Sequence, residues 1–262
     1  MTNTSKQVIP EMLLSVVSHG QGHLVRNLLG DLRQQVGVKF NVVVTLNFPE
    51  SEEFLEEFSD LPIQVVRNKD RKGFGANHNA AFQFCQHKWF VVLNPDIRIP
   101  AGRTLADLVL AKTGEIVSAS MVAPAVVNSA GALEDAVRRN LTPWSLLRRV
   151  LSVEKTQRDN DAVESKGFCW YAGMALAIDS SAYRSVGGFD ERLFLYCEDY
   201  DLCARMFRAG LKMSRNDRAR FIHDAQRDSR RSLKYLRMHL TSLLKVWTSS
   251  IFWYVVIKDF NK

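Results

Sequence analysis

Four stretches of the 262-residue chain carry residue types that could do chemistry. In the first, the apolar run Phe90-Val91-Val92-Leu93 stops at Asn94-Pro95-Asp96. Such a run reads as a buried strand, and Pro95 has no N–H with which to extend it. Asp96 is thereby delivered just past the carboxyl end of a strand, where open α/β sheets bind ligands. A hard carboxylate oxygen there suits a divalent cation held against phosphate; a local hydrogen-bond acceptor in a turn is the alternative. The second stretch runs from Gly187-Gly188-Phe189-Asp190-Glu191 to Tyr196-Cys197-Glu198-Asp199-Tyr200-Asp201. One of Glu198 and Asp199 could take a proton from a hydroxyl nucleophile. The two point about 100° apart on a helix, so they should not share one task. Otherwise they only complement the helix dipole, with Asp201 paired to Arg205 one turn on.

Third, His223 precedes Asp224, Arg227, Arg230 and Arg231. Its neutral imidazole could complete a cation site begun by Asp96, with the arginines neutralising a diphosphate. A structural histidine beside a solvated basic face is the other reading. Fourth, Gly73-Phe74-Gly75-Ala76-Asn77-His78-Asn79 combines glycines that allow close backbone approach with amides that could bond a ligand. Short glycine patterns of this kind are common.

The elements that must position these residues alternate. Strands are expected over 12–17, 40–46, 62–66, 90–93 and 121–127. Helices are expected over 24–32, 50–58 (short) and 76–85. That order predicts an α/β chain with a Rossmann-like, mixed, mostly parallel sheet flanked by helices. Further on, 168–178 reads as one strand with Gly173 at a close approach, and 198–208 as a helix closed by Gly210. Met213 and 219–222 read as a hairpin or strand pair before His223. Residues 142–153 form a basic, apolar segment, and 157–166 a polar loop. Leu233, Leu236, Leu240, Leu243, Leu244 and Trp247 fall on one helical stripe.

Composition narrows the setting. A net charge of +7 points to anionic partners. Nucleic acid is not expected, because the basic residues are not interleaved with surface aromatics in a recognisable motif. Cys85, Cys169, Cys197 and Cys203 form no metal-binding CxxC pairs and no disulfide-dense pattern, and 1–10 is polar rather than signal-like. A reducing, cytoplasmic setting is the expectation. The apolar run 251–257 is too short to span a bilayer.

Taken together, the order is specific. It runs Ser15-Val16-Val17-Ser18-His19-Gly20, Gly73-Phe74-Gly75 with Asn79, Leu93-Asn94-Pro95-Asp96, Trp170-Tyr171-Ala172-Gly173, Gly188-Phe189-Asp190-Glu191 through Leu202-Cys203, then His223. It resembles the inverting family 2 glycosyltransferases of GT-A fold. It looks most like bacterial rhamnosyltransferases that place L-rhamnose on GlcNAc-diphospho-polyprenol in O-antigen or cell-wall synthesis. The resemblance implies a GT-A domain over 1–228 and a C-terminal amphipathic helical extension over 229–262, packed on the domain or on an anionic membrane surface. It implies Mg²⁺ or Mn²⁺ held by Asp96 and His223, Asp199 as the catalytic base and Glu198 beside it orienting the acceptor. Ser18, Asn47, Gly73, Asn79 and Asn94 would bind the nucleotide-sugar donor, dTDP-rhamnose. Trp170, Gly173 and Tyr196 would border the sugar and a lipid-diphosphate-linked or glycan acceptor, at the inner face of the cytoplasmic membrane. Two positions depart from the family. Asn94 stands where the metal motif has its first Asp, implying metal binding that depends on the diphosphate. Leu46 stands where an Asp usually meets the nucleobase, so UDP donors of galactofuranose or glucose stay open beside dTDP-rhamnose. So does a nucleotide-sugar-binding partner subunit with weak catalysis.

Overall fold

The computed structural model describes residues 8–114, 117–143, 167–223 and 233–260. The first half alternates as its apolar pattern requires. β1 (Glu11–Ser18), α1 (Gly22–Arg33) and β2 (Lys39–Leu46) lead through a short 3-10 helix (Glu53–Phe58) to β3 (Ile63–Arg67). α2 (Phe74–Phe82), β4 (Trp89–Leu93), β5 (Ile97–Arg98), α3 (Thr104–Leu108) and β6 (Met121–Val127) come after it. Next are β7 (Val137–Arg139), β8 (Cys169–Tyr171), β9 (Ala175–Asp179), α4 (Ser180–Ser185), α5 (Glu198–Arg208) and β10 (Met213–His223). Two helices, α6 (Leu233–Trp247) and α7 (Ser250–Phe260), close the described chain.

One eight-stranded mixed sheet has the order β3-β2-β1-β4-β9-β6-β10-β5, and β7 pairs with β8 in a separate ribbon. The pairs β1/β2, β1/β4, β2/β3 and β6/β10 are parallel; β9 runs antiparallel between β4 and β6. Helices cover both faces, so the central strands are apolar at consecutive positions: all five residues of β4 are buried. Alternate residues feed opposite layers. Val91 and Leu93 pack with Val25, Leu28 and Leu32 of α1. Phe90 and Val92 pack on the other face with Phe82, Tyr183 and Tyr200. Leu243, Val246, Ile251, Phe252 and Val255 of the terminal helices join that second layer.

The structure differs from the sequence reading in two places. The strand expected over 168–178 breaks at Ala172–Met174 into β8 and β9, which belong to different sheets. The expected hairpin before His223 is one strand, β10, parallel to β6 throughout and bulged between Asn216 and Arg220. The terminal stripe is divided: Leu243 is buried and Trp247 packs against the core, while Leu236, Leu240 and Leu244 are exposed. The 157–166 loop, most of the 142–153 segment, and Arg227, Arg230 and Arg231 lie outside the described residues.

Candidate active site

The strand order runs outward in both directions from β1, to β2 on one side and β4 on the other. That is the switch point at which α/β sheets leave a crevice beyond the strand ends. Ser18 ends β1 at this crevice, Asn47 and Asn94 directly follow β2 and β4, and Asp96 lies two residues beyond Asn94.

Asp96 is held in place through the next three residues of the chain. Arg98 and the Ile99 N–H both bond Asp31 of α1, at 2.7 and 3.0 Å. That pins β5, whose Ile97 pairs antiparallel with His223 at the end of β10. The pairing sets Asp96 Oδ2 3.3 Å from His223 Nε2. On the far side of the ring, Nδ1 lies 3.5 Å from Glu134 Oε2, a contact long for a hydrogen bond. Asp96, first through its bond to the ring, and then Glu134 raise the His223 pKa against the opposing effect of burial. Asp96 Oδ1 is buried with no protein partner. A buried carboxylate oxygen left over beside an imidazole fits a divalent cation that takes its remaining oxygens from a diphosphate. Among the described residues, no cluster of three or more His, Cys, Asp or Glu side chains is arranged to hold a metal alone.

The second half of the site begins at a strained corner. Tyr196 and Cys197 both have left-handed backbones, with φ of +71° and +65°. Non-glycine residues adopt that conformation only when their surroundings enforce it. The corner ends in α5, placing Glu198 and Asp199 in its first turn. Asp199 is half-buried and anchored: Oδ2 accepts from the Gly173 N–H at 3.0 Å and Oδ1 from the Tyr200 N–H at 2.8 Å. Glu198 is more deeply buried, yet its Oε2 has no partner. Burial raises both carboxyls; for Glu198, the neighbouring Asp199 charge adds to it and the pKa is pushed up to about 8. Two backbone N–H groups and the Arg138 charge favour the ionised form of Asp199 and nothing comparable supports Glu198, so the shared charge belongs on Asp199 and the proton on Glu198.

The two halves are joined through consecutive peptide units. Gly173 donates to Asp199, while the Met174 carbonyl accepts from the Asn94 N–H at 2.9 Å. The break between β8 and β9 thus fixes the base and the cation corner together. A strand continued through 172–174 would use those groups in its ladder.

Several expected ligand contacts are engaged inside the protein instead. Asn47 is 1% exposed; its amide binds both backbone groups of Lys72 and the side chain of Asn68. Asn79 bonds both backbone groups of Phe189, together with Tyr183 and Glu191, and so holds the Gly188–Phe189 turn. Gly73 is required by packing: a Cβ there would come within 2.7 Å of the Phe194 carbonyl oxygen. The next N–H, of Phe74, is bonded to that oxygen. The loop at the start of α2 is therefore a dock for the 189–197 segment rather than an open anion cradle. Trp170 is buried, with its indole N–H on the Arg139 carbonyl. Tyr196 is half-buried against His239 of α6, ring centroids 4.9 Å apart.

Glu50, Phe48 and Arg71, which no sequence signal marked, join Ser18 and Leu46 at this crevice. Ser18 is buried at the end of β1, and its hydroxyl donates to Glu50 Oε2 at 2.8 Å; the Gly20 N–H reaches Glu50 Oε1. Phe48 lies beneath the Arg71 guanidinium, 4.4 Å from its ring centroid, beside Glu50 at the same crevice mouth. Leu46 is buried and presents no polar group.

Comparisons with known proteins bear on the family and the fold. The glycosyl transferase family 2 description matches residues 15–170, more than half of the chain. Rhamnosyltransferase WbbL of Escherichia coli is 28% identical over 184 residues, spanning 66% of this chain and 69% of that protein. An N-acetylglucosaminyl-diphospho-decaprenol L-rhamnosyltransferase of Mycobacterium tuberculosis is 29% identical over 139 residues; the match covers 47% of this chain and less than half, 42%, of that relative's length. Among solved structures, the mannosyltransferase PcManGT from Pyrobaculum calidifontis, in complex with GDP-Man and Mn²⁺, superposes with a TM-score of 0.62 at 17% identity. It covers 91% of this chain and 65% of that one. The mixed sheet, its flanking helices and the family match together make this chain a glycosyltransferase of GT-A-like fold, and it belongs to glycosyl transferase family 2.

Proposed function

We propose that the protein is an inverting, metal-dependent rhamnosyltransferase. It moves L-rhamnose from dTDP-β-L-rhamnose to a GlcNAc-diphospho-polyprenol or related acceptor in cell-surface polysaccharide synthesis. The similarity to two rhamnosyltransferases supports the sugar, and the name of the mycobacterial relative supports the acceptor class. The observation that carries the chemistry is Asp199, anchored by two backbone N–H groups, beside the buried Glu198, whose Oε2 has no partner.

In the proposed reaction, the acceptor hydroxyl gives its proton to Asp199 as its oxygen bonds the anomeric carbon. The bond from that carbon to the diphosphate breaks on the opposite face, and the electron pair leaves with the nucleotide. Protonated Glu198 donates a hydrogen bond to the acceptor and orients it. Asp96 and His223 would hold Mg²⁺ or Mn²⁺, which when bound neutralises charge on the leaving diphosphate. Ser18 and Asn94 line the donor crevice, whose walls are set by Asn47, Gly73 and Asn79. Gly173 and Tyr196 border the acceptor side, with Trp170 packed behind them. The acceptor class places the work at the cytoplasmic face of the cytoplasmic membrane.

A second reading keeps the family and changes the sugar. Because Leu46 offers no hydrogen-bond acceptor, a UDP donor of galactofuranose or glucose is the competing substrate. A donor panel with a synthetic GlcNAc-diphospho-lipid, read by product mass, separates the two. A deoxyhexose increment supports rhamnose, and a hexose increment from UDP donors alone would replace it. Product of retained anomeric configuration would contradict direct displacement.

A further inference from the structure

The N-terminal part of α6 stands away from the core, and its apolar ridge is unpartnered. Leu236, Leu240 and Leu244 recur every four residues and are 51–60% exposed, as are Trp253 and Ile257 of α7, which share one helical face. Large apolar groups in such a row mark a contact surface rather than ordinary scatter.

Charge identifies the occupant. Arg237, Lys245 and Lys258 are exposed on the same two helices. The acid there, Asp259, is turned inward, where its carboxylate accepts the Phe168 N–H at 2.7 Å. Apolar ridges, an exposed tryptophan and flanking cations are the composition of a helix lying in the plane of an anionic bilayer. A protein partner of ordinary surface would be expected to meet some acidic complement. Among the described residues no single helix is long and apolar enough to cross a membrane; α6 and α7 pass that test only as a pair, bent by 69°. The burial of Leu243, Val246, Ile251, Phe252 and Val255 in the protein core favours lying on the surface over spanning it.

The same helix grips the strained corner. Ser242 Oγ donates to the Leu195 carbonyl at 2.8 Å, Lys245 Nζ donates to the Arg192 carbonyl, and His239 stacks on Tyr196. These contacts hold the 192–196 segment, which in turn bonds Phe74 on one side and leads into Glu198 and Asp199 on the other.

We infer that the Leu236–Leu240–Leu244 ridge of α6, with Trp253 and Ile257 of α7, docks on an anionic lipid bilayer, and that this docking steadies the Leu195–Cys197 corner of the active site. The inference extends the reading of a lipid-linked acceptor, but docking itself requires no sugar transfer, so its test is separate.

Flotation of the full chain with phosphatidylcholine vesicles, with and without phosphatidylglycerol, tests the docking. The wild type should float with the anionic vesicles and bind neutral ones about tenfold less tightly. Leu240→Glu combined with Leu244→Glu should abolish flotation without changing the melting temperature. Hydrogen exchange at the amides of 194–199 should slow when anionic vesicles are added to the wild type and not when they are added to the variant. Folded wild type that fails to float, or a variant that floats unchanged, would overturn the proposal. So would equal binding to both vesicle types, or light scattering that shows the ridge covered by a second copy in a dimer the variant cannot form. Binding without slowed exchange would overturn the link to the corner.

Discussion

The crevice at the ends of β1–β3 and the corner before α5 are built in opposite ways. Around the first, the side chains of Asn47, Asn68 and Asn77 are bonded within the protein. Asn68 donates to Asn47 at 3.0 Å and to Asn77 at 2.7 Å, and Asn77 binds the Gly73 carbonyl. Ser15 bonds His78, whose full burial pushes its pKa down to about 3 and keeps it neutral. At the corner, two residues are held with left-handed backbones, Glu198 Oε2 has no partner, and two carboxyls compete for one charge. A satisfied network is rigid and specifies one arrangement; unsatisfied buried groups wait for a ligand. The crevice is scaffold, and the corner together with Asp96 is where the chemistry is exposed.

Substitutions should separate the two regions by what they damage. Asp199→Asn should lower kcat about a thousandfold, within the range general-base loss produces, with nucleotide affinity unchanged by calorimetry. Unchanged turnover would remove Asp199 as the base. Asp96→Ala should weaken nucleotide-diphosphate binding about a hundredfold in the presence of Mn²⁺ and little without it; equal titrations with and without metal would contradict that role. Asn77→Ala belongs to the other region. It removes one of the two bonds of the Asn68 amide and the side-chain bond to the Gly73 carbonyl, and should destabilise the fold by about 1–2 kcal/mol in urea melts. An intact midpoint together with a lost kcat would invert the comparison.

The next effect is in pH. The folded pKa of Glu198, about 8, lies above its ordinary value of 4.5, so between those limits the folded state binds more protons than the unfolded one. Its contribution is most favourable below 4.5 and is lost as pH rises through about 8. Glu198→Gln removes that loss. The melting temperature of the variant relative to wild type should therefore climb from pH 5 to pH 8, and a flat difference would mean that Glu198 is ionised throughout. The smallest expected change is at Glu134→Gln, where loosening His223 should weaken metal-supported nucleotide binding by about tenfold or less.

How much of this could be read beforehand depended on the range of the interactions. The strands through Asp96 were legible because a parallel strand covered on both faces is a continuous apolar run. The start of α5 was legible because its acids cluster in the first turn and Gly210 closes it. β10 was not, because the Asn216–Arg220 bulge interrupts it with exposed charges and mimics a turn. The α6 stripe had the right period, yet only Leu243 and Trp247 of its described side chains meet the core and Leu236, Leu240 and Leu244 face outward, since periodicity shows that a face is apolar but not what covers it. Asn47, Asn68 and Asn77 meet only after the chain has folded, so no local spacing announces them. The same holds for Glu134 beside His223 and Glu50 beside Ser18. For Asn47 and Asn79, the residue types suited a ligand, but the fold had already supplied partners for every donor and acceptor they offer.

The central claim is that Asp199 carries the charge of the pair while Glu198 keeps the proton. Carbon-13 NMR titration of the side-chain carboxyls, assigned with Asp199→Asn and Glu198→Gln, tests it directly. The account predicts that Asp199 loses its charge at a lower pH than Glu198, whose carboxyl shift turns near 8. A Glu198 already ionised while Asp199 remains protonated would contradict the account and move the role of base to Glu198.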